Sequence, residues 1–150
     1  MYDRPNLEEM IDAVRMHLET EVIPAVRSDR KLYFRTLVAT NLLKIAGREL
    51  ENSLSDLTRE WQMLNAIEGK DMPLPESEKA LHEGLIARHI ELSENIRDGY
   101  YDEHGEGSRY SLFEYLKWLS ISQLKVANPR FLATVQAEMD DPELDAWENR

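Results

Sequence analysis

The sequence predicts an all-α fold, a single-domain helical bundle of about five to six helices arranged around one long central helix. Three observations carry this prediction. Apolar residues recur at three- and four-residue spacing along the chain, and no segment sustains the period-two alternation of a half-buried strand. The run Leu32 to Ala46 (LYFRTLVATNLLKIA) is apolar on nearly every side. A helix without a wide polar face has to be covered on most sides. Arg35, Asn41 and Lys44 interrupt the run too often for a bilayer span, which needs about 20 predominantly apolar residues, so it reads as the central helix of a soluble domain.

The first helix starts at Asn6, whose side chain can cap while Glu9 reaches back, and its stripe is Leu7, Met10, Ile11, Val14 and Leu18. Pro24 is expected to stop it. After a short connection, Ser28 or Asp29 can cap a second helix from Lys31 to Glu51. Asn52 and Ser53 then stand before a fresh stripe, Leu54, Leu57, Trp61 and Leu64, so that one bent helix or two are equally compatible with the pattern. Gly69 to Leu74 reads as a loop, and Pro75 suits the first position of a helix running to Arg97. Asp98 to Arg109 (DGYYDEHGEGSR) is glycine-rich, charged and aperiodic, hence a long loop. Ser111 and Glu114 make a capping box with Tyr110 and Tyr115 as its staple. Asn128-Pro129 closes that helix and opens a last one over Phe131, Leu132 and Val135.

A chain of 150 residues fits one domain. Without cysteine it has no disulfide framework and no thiolate nucleophile or metal ligand. The acidic N-terminal stretch lacks the pattern of a secretory signal, and the cytoplasm is the expected compartment. A net charge of −11 with no basic cluster argues against nucleic acid as a partner, and no membrane partner is expected. The acidic excess gathers in a tail over residues 138–150, where Glu138, Asp140, Asp141, Glu143, Asp145 and Glu148 face only Arg150. Such a run reads first as a solvated face and second as a dock for a basic partner.

Catalytic templates are not met. None of the four histidines has a glutamate three residues before it, and neither His-x-x-x-His nor HExxH occurs. His82 and His89 share a face but stand two turns apart, roughly 10 Å, too far to hold one ion. The loop acids Asp98, Asp102, Glu103 and Glu106 with His104 do not follow a calcium-loop pattern. No serine lies in a G-x-S-x-G elbow. No metal, cofactor or catalytic residue is assigned.

What stands out is polarity set into apolar helix faces. At about 100° per residue, Arg35 projects between Leu42 and Ala46, and Glu49 between Val38 and Leu42. Asn41 and Arg48 lie near Leu37 and Ile45, Gln123 between Leu112 and Leu116, and His89 beside Leu85, Leu92 and Ile96. Buried charges have to be paired. One reading is an interhelical polar network that fixes the register of the bundle. The second is a cleft in which Arg35, Asn41, Arg48, Glu49 and His89 converge on a small anionic or polar ligand, arginine suiting a carboxylate or phosphate through its planar fork. The third is a protein interface.

The opening DRP-x-x-x-x-M-I-x-A-V-R, the block YFRTLVATNLLKIAGRELE and the late KVANPRFL resemble an uncharacterised family of small helical bacterial domains. The likeness runs from Asp3 to Leu132, and its late motif is Lys125 with Asn128, Pro129 and Arg130. Members of that family occur beside, or fused to, aminoglycoside-phosphotransferase-like kinases, often near acyl-CoA dehydrogenases. The resemblance therefore implies a phosphotransferase-like kinase as partner and supplies no mechanism. The expectation is a non-catalytic helical accessory protein in small-molecule or acyl metabolism. Its rivals are an anionic-ligand binder or enzyme with an interhelical pocket, and a homo-oligomer formed through the central helix.

Overall fold

In a computed structural model, which describes residues 4–103 and 106–139 and the side chains of 4–102 and 110–138, the chain is all-α, with no strand among the described residues. α1 (Leu7–His17) begins as its sequence predicts: Asn6 Oδ1 accepts the Glu9 N–H at 2.8 Å, and Glu9 Oε2 accepts the Asn6 N–H at 2.9 Å. It does not stop before Pro24. A π-helical turn (Leu18–Val22) carries it into α2 (Ile23–Ala25), which contains that proline. A proline ring strikes the carbonyl four residues back. The widened turn, in which the Ile23 N–H reaches the Leu18 carbonyl, lets the helix absorb that conflict.

Asp29 Oδ1 accepts the N–H groups of Lys31 and Leu32, both at 3.0 Å, at the start of α3 (Arg30–Glu68). This long central helix is a single element of 39 residues. At its candidate break the Asn52 amide donates to the Arg48 carbonyl one turn back, inside the helix. α4 (Glu78–Arg97) starts three residues later than Pro75 suggests, because Ser77 is extended and its hydroxyl accepts the Ala80 N–H. Gly99, at a φ of 77°, turns the chain after α4.

Much of the expected 98–109 loop is helical: α5 (Tyr100–Glu103) precedes α6 (Glu106–Ala127), which already runs when it reaches Ser111. The Ser111/Glu114 capping box therefore has no helix start to cap. Its staple fails too, since Tyr110 is 68% exposed and Tyr115 fully buried. Asn128 does cap α7 (Pro129–Met139), accepting the Phe131 N–H. The acidic tail beyond Glu138, and His104 of the loop, lie outside the described residues. No helix of the described residues is long and apolar enough to cross a membrane.

The chain divides into two compact units, Met1–Ser53 and Leu54–Arg150, with α3 contributing to both. The second holds the apolar core. Trp61 and Leu64 of α3, Leu81, Leu85 and Leu92 of α4, Tyr101 of α5, and Leu112 and Tyr115 of α6 are buried together. α3 and α4 approach so closely at Gly84 that a Cβ there would lie 2.9 Å from the Trp61 ring.

The first unit is built differently. Its buried residues, among those described, are Thr36 and Thr40 alone, each hydroxyl donating to the carbonyl four residues back. No residue of α1 is buried. An ionic link ties its helices instead: Glu19 of the π turn takes Arg15 Nη1 at 2.8 Å and Lys44 Nζ of α3 at 2.6 Å. The Lys44 hydrogen bond, with Arg15 adding to it, holds the Glu19 carboxyl below its ordinary range.

Candidate functional site

The polar groups that gather do so in the second unit, on residues that mostly differ from those the sequence singles out. Glu60 follows Leu57 by three residues and precedes Leu64 by four, so helical geometry sets it in the apolar face of α3. It is buried. Its Oε1 lies 2.7 Å from His89 Nε2 of α4 and accepts the Tyr115 hydroxyl of α6 at 2.9 Å. His89 Nε2 and the Tyr115 oxygen are themselves 3.0 Å apart. Because the carboxylate is the common acceptor, the arrangement places the imidazole hydrogen on Nε2. Burial, then the neighbouring Glu60 charge, pushes the Tyr115 phenol well above its ordinary range.

One turn further, Arg88 takes an apolar-stripe position between Leu85 and Leu92 and is likewise buried. Its Nε donates to Glu68 Oε1 at 3.1 Å and its Nη1 to the Trp61 carbonyl at 3.3 Å, while the guanidinium carbon lies 4.5 Å from the Trp61 ring centroid. Lys70 approaches Glu68 Oε2 at 3.0 Å and Glu91 at 3.3 Å. Trp61 Nε1 and Asn65 Nδ2 both donate to the Met72 carbonyl, which fastens the α3–α4 connection.

Glu60, His89 and Tyr115 have the residue types of an acid–base relay but not its geometry. In a relay the carboxylate holds one imidazole nitrogen and the other faces the reacting hydroxyl. Here carboxylate and hydroxyl share Nε2, and the Tyr115 side chain is sealed from solvent. The arrangement locks three helices in register. Among the described residues no group of three or more His, Cys, Asp or Glu side chains is placed to hold a metal ion.

The sequence-derived residues fall in other places. Arg35, Asn41 and Glu49 are exposed on α3 and Arg48 is half-buried there, all in the first unit, whereas His89 is in the second. Neither the Arg35 nor the Glu49 side chain has an ion-pair or hydrogen-bond partner among the described residues, so neither is a buried charge paired across helices. Their helix face is apolar as expected but uncovered: Val38 and Leu42 on it are exposed, and so is Phe34 at its edge. Gln123 is exposed on α6. Lys125, Asn128 and Arg130 of the late motif are exposed, and Asn128 serves as the α7 cap. Glu60, Glu68 and Arg88 escape the sequence reading although each stands at stripe spacing, the signal that singles out Arg35.

No curated protein and no solved structure matches the chain. A family model described as a domain of unknown function (DUF6285) matches residues 24–131, from the proline of α2 through the first residues of α7, and the chain belongs to that family.

Proposed function

We propose that this chain is a helical accessory protein that acts by assembling with other chains, and that its first unit is the assembling surface. The observation that carries the reading is that among the described residues of that unit no apolar side chain is buried, only Thr36 and Thr40, while Leu7, Met10, Val14 and Met16 of α1 are exposed. Exposed apolar surface of this extent marks an interaction site in a soluble protein. The second unit, with its locked polar groups and packed core, is the rigid support. The partner that the family resemblance implies is a phosphotransferase-like kinase in small-molecule or acyl-group metabolism.

The test is size-exclusion chromatography with light scattering of the chain mixed with the phosphotransferase-like kinase of the same source. Co-elution at a defined ratio, lost in Met10→Glu/Val14→Glu, supports the reading. Separate elution at micromolar concentrations contradicts that choice of partner.

A further inference from the structure

On the reading that the first unit assembles with other chains, we infer that the chain covering the outer face of α3 is a second copy of this protein, packed antiparallel about a two-fold axis beside Leu42. The occupant is identified by the arrangement of charge on that face. Arg35, Leu42 and Glu49 are spaced at seven residues and are all exposed. Seven residues make nearly two turns, with a drift of only about 20° and a rise of about 10.5 Å, so the three lie almost in line with Leu42 in the middle.

A two-fold axis beside Leu42 sets position 35 of one copy opposite position 49 of the other. It sets each Arg35 against Glu49 of the second copy and each Leu42 against its own counterpart. Both charges lack a partner within the described part of the chain, so the pairing satisfies two cations and two anions at once. A parallel pair would instead face arginine with arginine and glutamate with glutamate, which like-charge repulsion disfavours. Val38 and, farther round the helix, Phe34, both exposed on one side of the line, supply apolar area to cover. An isologous contact of this kind is the commonest route to a closed homodimer. Each chain carries −11, so the long-range field opposes association and the drive has to come from this local match.

The experiment is light scattering of the full chain over a dilution series, with four variants. The wild type is expected at twice 17.5 kDa. Leu42→Glu is expected as a monomer at concentrations where the wild type is dimeric, and Arg35→Glu and Glu49→Arg each weaken dimerisation about tenfold or more. Arg35→Glu/Glu49→Arg restores it to within about threefold of wild type. Circular dichroism checks that each variant keeps its helicity. Since the chain has no cysteine, Leu42→Cys gives a single-thiol protein that forms a disulfide-linked dimer on mild oxidation, whereas Gln62→Cys, exposed farther along α3, does not. A wild-type mass of 17.5 kDa throughout, or single charge reversals without effect, overturns the inference. A monomer that still co-elutes with the kinase overturns it while leaving the accessory reading in place. A dimer that ignores the kinase supports it and removes that partner.

Discussion

The Glu60 carboxylate and the His89 imidazole, 29 positions apart in the chain, meet at 2.7 Å on facing helices and share one oxygen with the Tyr115 hydroxyl. The contact joins α3, α4 and α6 through a single acceptor. Tyr115→Phe keeps the ring and removes the hydroxyl, leaving Glu60 Oε1 with one donor instead of two. The expected loss is about 1–3 kcal/mol, read as a lower midpoint in urea unfolding with an unchanged slope.

Arg88 and Glu68 form a buried pair, with side chains 5% and 8% exposed. Removing one partner strands the other. Arg88→Met is expected to cost about 3–5 kcal/mol, and Glu68 keeps only Lys70. Replacing both, as Arg88→Met/Glu68→Leu, is expected to cost less than the single change, because no charge is then left in the apolar interior. A double-mutant cycle by chemical denaturation measures the difference.

Two helical glycines should respond to alanine in opposite directions. A Cβ at Gly47 meets nothing within 4 Å, so Gly47→Ala should stabilise by about 1 kcal/mol through helix propensity alone. A Cβ at Gly84 would lie 2.9 Å and 3.3 Å from two atoms of the buried Trp61 ring. Gly84→Ala is expected to destabilise by about 1–3 kcal/mol in spite of the same propensity gain. Paired thermal melts of the two variants provide the comparison.

Stability should fall at both ends of the pH scale for separate reasons. The Tyr115 phenol is raised in the folded chain, so its neutral form contributes stability that is complete below the unfolded value near 10.0 and declines as pH rises above it. Absorbance at 295 nm should show Tyr115 ionising only with unfolding. The Glu19 carboxyl is lowered from 4.5, which gives the opposite sign. Its contribution is present above the unfolded value and is lost as pH falls through the folded one. Lys44→Met, which removes the first cause of that shift, should flatten the acid limb while leaving the alkaline limb unchanged.

Signals that act within one turn of chain were legible in the sequence. The Asn6 box and the Asn128-Pro129 junction depend on atoms three residues apart, and the stripe of Trp61 and Leu64 marks the core face of α3. Signals that depend on what lies upstream were not. Ser111 has the pattern of a cap but sits in a helix that began at Glu106, and Pro24 has the pattern of a stop but follows a π turn that accommodates it. The polar groups divide in the same way. Arg35 and Arg88 have equivalent stripe positions in the sequence, yet among the described residues only the face bearing Arg88 is covered by other parts of the same chain. Periodicity identifies an apolar face and does not say which molecule covers it.

Amide hydrogen exchange measured across a dilution series tests most directly whether the first unit depends on other chains. Amides of α1 and of the first half of α3 are predicted to exchange fast in dilute solution and to gain protection as the chain assembles, while those of α4, α6 and the Trp61–Leu64 segment stay protected throughout. Full protection of α1 at the lowest concentration, independent of dilution and of added partner, would contradict this.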